Sequence, residues 1–204
     1  MTGPGGWTLS ADLQGEALRE VLSLIGADGA GAPGEQRAGY TVLEPAAPGA
    51  GAGAGVGVEA RCRREVDELH AFFVRWFTGA VPRTREELAR FTDAMHAEME
   101  MVTAGGDRHT LASLAETIDC AHGCMEGSRA GFAIAVRNVR VLRSLGAGAE
   151  RSHLVSYEEW QTVGAAETAR VSTALFREQG GAPNGLAWLH LHETYLAGHA
   201  PNAT

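Results

Sequence analysis

Two histidines near the C-terminal end of the chain carry the sharpest chemical signal. His190 and His192 are two residues apart in a strand-like segment, so both side chains leave the same face as Trp188 and Thr194. An imidazole titrates near neutral pH and is well suited to proton transfer. If that face lines a cavity, we expect His190 and His192 to be catalytic. The alternative is that it faces solvent or a second subunit.

A pair of carboxylates lies in another strand-like segment, within residues 157–160. Adjacent strand residues point to opposite faces, so only one of Glu158 and Glu159 can enter a cavity. Burial among aromatic residues would raise the pKa of that carboxylate and make it a usable general acid or base. We expect Glu159 to face the cavity and to be catalytic. The alternative is that one Glu is exposed while the other pairs with an arginine, for which the candidates are Arg137, Arg140 and Arg170.

Large aromatic residues are the expected walls of the cavity, because ligand pockets are mostly apolar with a few polar groups. The expected substrate-binding residues are Trp76, Phe73, Tyr157, Trp160 and Trp188. If the chain is an enzyme that acts on a small molecule, we expect a cavity volume of roughly several hundred cubic ångströms.

No metal site and no cofactor is expected. His153, His190 and His192 would suit zinc by residue type, but they lie on strands that are not all neighbours. Cys120 and Cys124 lack the second ligand pair of a zinc site, so they are expected to be structural thiols.

Three helices are expected to position these residues. Residues 66–77 repeat apolar side chains at helical spacing, and Thr84 opens a second helix with a capping box. After a short strand over 97–103, either Asp107 or Thr110 can cap a third helix.

Beyond Gly127 the apolar period changes from that of a helix to that of a strand. Four strand-like segments follow, at 132–145, 152–163, 168–178 and 186–196, and their short Gly-bearing links predict an antiparallel meander. Such long strands coil strongly, and one sheet face must be buried against the helices. The predicted fold class is therefore α+β, with a cone-shaped, curved antiparallel sheet wrapped around three helices and a central pocket.

Four segments in this order carry a family resemblance: Glu68–Phe77, Met99–Thr103 with Gly105-Gly106, Tyr157–Trp160 and Trp188–Thr194. The chain resembles the nuclear transport factor 2-like superfamily, and within it the SnoaL-like and calcium/calmodulin-kinase association-domain branch. That superfamily contains cofactor-independent isomerases, cyclases, dehydratases and hydrolases, and also proteins that only dimerise or assemble. No complete catalytic set from those enzymes matches this chain, so the resemblance implies a shape and a pocket rather than a reaction.

The composition argues against several kinds of partner. The chain has 204 residues, 17 basic and 25 acidic, with a formal net charge of −8. We therefore expect no nucleic-acid or membrane partner. No apolar run reaches the roughly 20 residues of a membrane span. With three cysteines and no visible secretory signal, the expected location is the cytoplasm.

We expect three parts along the chain. Residues 1–58 form an N-terminal extension, with one helix over Ser10–Ile25 and a flexible Gly/Ala-rich linker. Residues 59–198 form the nuclear transport factor 2-like domain, and 199–204 are a tail.

Two functions remain open. The first is a small-molecule-binding, cofactor-free acid/base enzyme, an isomerase, cyclase, dehydratase or hydrolase, acting on an apolar substrate such as a polyketide. The alternative is a non-catalytic homodimeric module for ligand binding or assembly.

Overall fold

The structure is a computed structural model that describes residues 57–125 and 131–201. The predicted helix Ser10–Ile25 and the linker that follows it lie outside the described residues. Among the described residues, no helix is long and apolar enough to cross a membrane.

Three α-helices lie in the described part of the chain, α1 (Val58–Phe77), α2 (Arg85–Thr92) and α3 (Leu111–Cys120). The side chain of Thr84 caps α2, as its sequence pattern predicts. Of the two candidate caps for α3 the structure uses Thr110, which forms both halves of a capping box. Helix α1 begins at Val58, eight residues before the predicted apolar stripe, and these added turns already bury Cys62 and Glu65.

Six strands form one sheet: β1 (Met95–Val102), β2 (Arg108–Thr110), β3 (Phe132–Leu145), β4 (Ser152–Val163), β5 (Ala166–Glu178) and β6 (Leu186–Tyr195). Their order across the sheet is β2-β1-β6-β5-β4-β3. The predicted α+β fold and the antiparallel meander from β3 to β6 are confirmed. The sheet is curved, unclosed and mixed rather than wholly antiparallel, because β1 pairs in parallel with β6. The short strand β2 was not predicted.

Strand β6 contains an irregularity that decides which side chains face inward. Leu175 pairs with His190, but the next residue of β5, Phe176, pairs with Trp188. One extra residue is therefore inserted into β6, and the alternation of its side chains reverses there. As a result Trp188 and Leu191 are both buried, although they are three residues apart.

Helix α1 packs its aromatic stripe against the inner face of the sheet. Phe72 and Trp76 are fully buried, and the indole of Trp76 donates a hydrogen bond of 2.7 Å to the carbonyl of Ile118 in α3. The indole of Trp188 in β6 packs edge-on to Phe176 at 4.5 Å between ring centroids. Burial of each such side chain contributes roughly 1.5–3 kcal/mol, so this layer holds the helices on the sheet.

A buried carboxylate joins α1 to its neighbours. Glu65, fully buried, accepts two hydrogen bonds from Arg90 in α2, at 3.1 and 3.2 Å. It also accepts one from Asn184 at 2.9 Å and one from the indole of Trp188 at 3.0 Å. Every oxygen of this carboxylate is therefore paired, as a buried charge requires.

Candidate functional site

A cavity lies between α1, α3 and the inner face of the sheet. Its volume is about 70 Å³, smaller than the several hundred cubic ångströms that the sequence led us to expect. Its walls are largely aromatic rings and methionines, of which the chief contributors are Phe73, Phe77, Phe91, Met95, Met99 and Met101. Methionine side chains adapt their shape readily, so this wall can yield to a ligand.

One wall of the cavity is polar, because the register of three strands brings charged residues together. Glu159 of β4 lies directly opposite Arg170 of β5, and Ser172 of β5 lies opposite Glu193 of β6. The guanidinium of Arg170 donates to Glu159 at 3.0 Å and to Glu193 at 3.1 Å. It thus bridges two carboxylates while itself only 2 % exposed.

Helix α1 adds His70 to this cluster. The Nε2 atom of His70 lies 3.0 Å from a carboxylate oxygen of Glu159, and its Nδ1 atom lies 2.7 Å from the carbonyl oxygen of Val66. A carbonyl oxygen only accepts, so Nδ1 carries a proton, and beside an ionised Glu159 so does Nε2. Burial lowers the pKa of His70, but the Glu159 carboxylate outweighs it and the net pKa is raised. The cluster of His70, Glu159, Arg170 and Glu193 then contains two cations and two carboxylates.

The two carboxyl groups of the cluster titrate far apart. Burial would raise the pKa of Glu159, but Arg170 and His70 outweigh it and hold this pKa well below its usual range. Burial raises the pKa of Glu193 to about 7, with the Glu159 carboxylate adding to the rise and Arg170 opposing it. Glu159 is therefore ionised at neutral pH, whereas Glu193 can exchange a proton there. Neighbouring carboxyl groups with such different pKa values are typical of acid–base pairs in enzymes.

Two buried polar atoms beside this cluster have no hydrogen-bond partner among the described residues, the hydroxyl of Tyr157 and the side-chain oxygen of Gln161. Both residues line the cavity. The hydroxyl of Ser172, which donates to Glu193 at 3.4 Å, lies close to the Tyr157 hydroxyl and opposes the rise in the pKa of Tyr157, but the two hydroxyls do not meet hydrogen-bond geometry. The amide nitrogen of Gln161 donates to Glu159, which leaves its oxygen as the unpaired atom.

The structure brings together only some of the residues singled out from the sequence. Glu159, Phe73, Tyr157 and Trp188 line the cavity. Glu159 also pairs with Arg170, one of the arginines that the alternative interpretation named as a partner. Its expected catalytic role stays a prediction. Trp76 is not among the lining residues, because its ring is buried in the core behind the cavity.

Three residues lie on the opposite face of the sheet from the one expected. His190 and His192 do not line the cavity, and His192 is exposed, because the inserted residue in β6 reverses the alternation. Trp160 also lies outside, where the guanidinium of Arg137 sits 4.3 Å above its ring. The expectation that these three face the pocket is therefore wrong.

Three polar residues that line the cavity were missed as site residues: His70, Gln161 and Glu193. Arg170, which is buried beside them, was named from the sequence only as a possible partner of a carboxylate. One signal was available for His70, since it shares a helix face with Phe73 and Phe77 at spacings of three and seven residues. Glu193 could not be found from alternation alone, because the register of β6 depends on the inserted residue.

Comparison with known proteins identifies a family. The family model described as sucrose-6-phosphate phosphohydrolase C-terminal matches residues 62–197. Sucrose-phosphatase 2 and sucrose-phosphatase 1 of Nicotiana tabacum are each 26% identical to this chain over 137 residues. The match covers 67% of this chain and 31% of each relative, so the chain spans about a third of the length of these relatives.

Solved structures share the fold. A nuclear transport factor 2-like protein of unknown function from Pseudomonas aeruginosa aligns with a TM-score of 0.55 at 23% identity, covering 67% of this chain and 98% of that one. The calcium/calmodulin-dependent kinase II hub of S. rosetta aligns with a TM-score of 0.50 at 12% identity, covering 70% and 100%. The narrower resemblance to the SnoaL-like branch stays a prediction. The chain shares its fold with nuclear transport factor 2-like proteins, and by its sequence it belongs to the sucrose-6-phosphate phosphohydrolase C-terminal family.

Proposed function

We propose that this chain is a cofactor-independent acid–base catalyst whose proton-transfer group is Glu193. The observation that carries the proposal is the position of this carboxyl, buried in the wall of an apolar cavity and bound to the same arginine as the ionised Glu159. A general acid or base works best when its pKa lies near the operating pH, and the pKa of Glu193 is about 7.

The remaining members of the cluster hold Glu193 in that state. Arg170 orients both carboxylates, and His70 balances the charge of Glu159. Glu159, expected from the sequence to be catalytic, has in this proposal a positioning role because it stays ionised. His190 and His192 are left out because they lie on the other face of the sheet.

Removal of a proton beside a carbonyl group and its return elsewhere is the simplest reaction this arrangement supports. The Glu193 carboxylate takes the proton from carbon, the electron pair moves towards the carbonyl oxygen, and the carboxyl group returns the proton to a second atom. Isomerases, cyclases and dehydratases share this step. The small cavity favours a small, largely apolar ketone as substrate.

A hydrogen-exchange experiment tests the proposal without knowledge of the substrate. The 204-residue protein is incubated in heavy water with a panel of small ketones, and deuterium uptake next to the carbonyl is followed by NMR. We expect exchange to accelerate as pH rises through about 7, because the base form of Glu193 is then populated. Glu193→Gln should slow it by roughly 100-fold or more.

The matched control is His192→Gln, which changes the exposed histidine that the sequence singled out. It should leave the exchange rate unchanged. If His192→Gln abolished exchange and Glu193→Gln did not, the outer face of the sheet would be the active surface and this proposal would be wrong.

A second candidate function rests on the family match. The matched family is the C-terminal part of sucrose-6-phosphate phosphohydrolases, and this chain spans only about a third of the tobacco sucrose-phosphatases it resembles. Under this candidate the chain is a non-catalytic, homodimeric module that associates with a sugar-phosphate phosphatase. Light scattering of the chain alone and mixed with such a phosphatase tests it. A dimer and a mixed complex that both persist in Glu193→Gln, without ketone exchange, would favour this candidate.

A further inference from the structure

Two unpaired polar atoms in the cavity wall point to the kind of ligand the cavity takes. The hydroxyl of Tyr157 and the side-chain oxygen of Gln161 belong to residues that are 1 % and 3 % exposed, and neither atom has a partner among the described residues. A buried polar atom without a hydrogen bond destabilises a protein, so such atoms beside a cavity call for a partner from outside the chain.

The two atoms have complementary hydrogen-bonding roles. Burial, with the Glu159 and Glu193 carboxylates adding to it, raises the pKa of Tyr157 well above its ordinary value. The phenol therefore keeps its proton and can donate it to a ligand oxygen. The Gln161 amide nitrogen is held by Glu159, so its oxygen is oriented as an acceptor.

The charges around the cavity favour a neutral ligand. Both cationic side chains of the cluster, His70 and Arg170, already contact carboxylates. No Lys or Arg is among the described residues that line the cavity. An anion such as a phosphate ester would thus lie near two carboxylates without a cation of its own, at a large desolvation cost.

We propose that the cavity binds a small neutral hydroxycarbonyl compound. Its carbonyl oxygen accepts the hydrogen bond of Tyr157, and its hydroxyl group donates to Gln161. The cavity volume of about 70 Å³ is about half of the roughly 150 Å³ that holds benzene, so the buried part of the ligand has only a few heavy atoms. This inference rests on the proposed function in one respect, that the cavity is a ligand site.

The test uses the full 204-residue protein carrying a carbon-13 label at the ring carbon that bears the tyrosine hydroxyl. The chain has three tyrosines, and Tyr195 lies outside the cavity lining, so its signal is an internal reference. The probes are hydroxyacetone and 4-hydroxybutanone, which differ in the spacing of their oxygens, butanone, which lacks the hydroxyl, and hydroxyacetone phosphate, which is anionic.

We expect at least one hydroxyketone to shift the Tyr157 signal and to leave the Tyr195 signal in place. Butanone should bind roughly 3- to 10-fold more weakly, as the loss of one hydrogen bond predicts, and the phosphate should not bind. Tyr157→Phe should weaken the better hydroxyketone by a similar factor. If Tyr157→Phe does not fold, the inference is tested by the titration of the wild-type protein with these probes.

A Tyr157 signal that no neutral probe moves would mean that water alone satisfies these atoms, and it would overturn the inference. Equal binding of the phosphate would overturn it too. Binding of a hydroxyketone to Glu193→Gln, with no ketone exchange in the wild type, would support the inference while refuting the proposed catalysis. Ketone exchange that persists unchanged in Tyr157→Phe would support the proposed catalysis while refuting this inference about the ligand.

Discussion

Substitution of Glu193 by Gln should change the pH dependence of stability by an amount that the structure sets. The pKa of Glu193 rises from its ordinary value of 4.5 to about 7 in the folded protein. Between these values the folded state holds a proton that the unfolded state has lost, so the stability of the wild type falls as pH rises. At 1.36 kcal/mol for each pH unit, the total loss is roughly 3 kcal/mol. Gln is always neutral, so the Glu193→Gln variant does not lose this stability as pH rises.

The free energy of unfolding of both proteins is measured by urea titration at several values between pH 4.5 and 8. We expect Glu193→Gln to gain roughly 3 kcal/mol relative to the wild type across this interval, with most of the gain complete by pH 7.5. The matched control is Glu158→Gln on the outer face, where hydrogen bonds from Asn138 and Trp160 lower the pKa of the carboxylate instead. A difference between Glu193→Gln and the wild type that stays constant with pH would refute a raised pKa for Glu193.

Three further predictions concern the ion pairs. Glu65→Ala should lower the free energy of unfolding by about 3 kcal/mol in urea titrations, because it leaves the buried indole of Trp188 without an acceptor and removes the partner of the part-buried Arg90. An unchanged free energy of unfolding would contradict the structural role of Glu65. Nitrogen-15 NMR should find both ring nitrogens of His70 predominantly protonated at pH 6.5, since its pKa is raised above that ordinary value. The stabilising contribution of His70 is present below pH 6.5 and is lost as pH rises through its folded pKa. A single protonated nitrogen at pH 6.5 would contradict the raised pKa. Carbon-13 NMR should place the pKa of Glu178 near 2, lowered chiefly by its hydrogen bond with Arg61 and also by one with His153. Arg61→Gln should move this pKa towards 4.5, so the loss of stability on acidification from pH 4.5 to 2 should be smaller than in the wild type; an unchanged pKa in this variant would contradict the assignment.

The elements that the sequence predicted well are those with local signals. The Thr84 cap was predicted because a capping box depends on residues three positions apart, whereas for α3 the sequence left Asp107 and Thr110 open and the structure uses Thr110. The meander followed from short links containing glycine between alternating segments. Strand β2 and the parallel pairing of β1 with β6 depend on contacts between residues far apart in sequence, so no local pattern could reveal them.

The site itself was less predictable, for a specific geometric reason. A single inserted residue in β6 exchanged the roles of His192 and Glu193, sending the histidine outward and the carboxylate into the cavity. Period-2 alternation is correct on either side of such a bulge but carries no information across it. Glu159 was placed correctly because β4 pairs with β5 without interruption.

Two buried ionic clusters in this fold differ in a way that separates structure from function. At Glu65 every carboxylate oxygen is paired with a donor from α2, the turn before β6 or β6 itself, so the cluster holds elements together and faces no ligand. At Glu193 the charges are also paired, yet the atoms of Tyr157 and Gln161 beside them are not. Buried ion pairs add little net stability over an apolar core of the same shape. Stability alone therefore does not explain why a buried ionic cluster lies beside unpaired polar atoms and a cavity. For this reason we assign function to Glu193 rather than to Glu65.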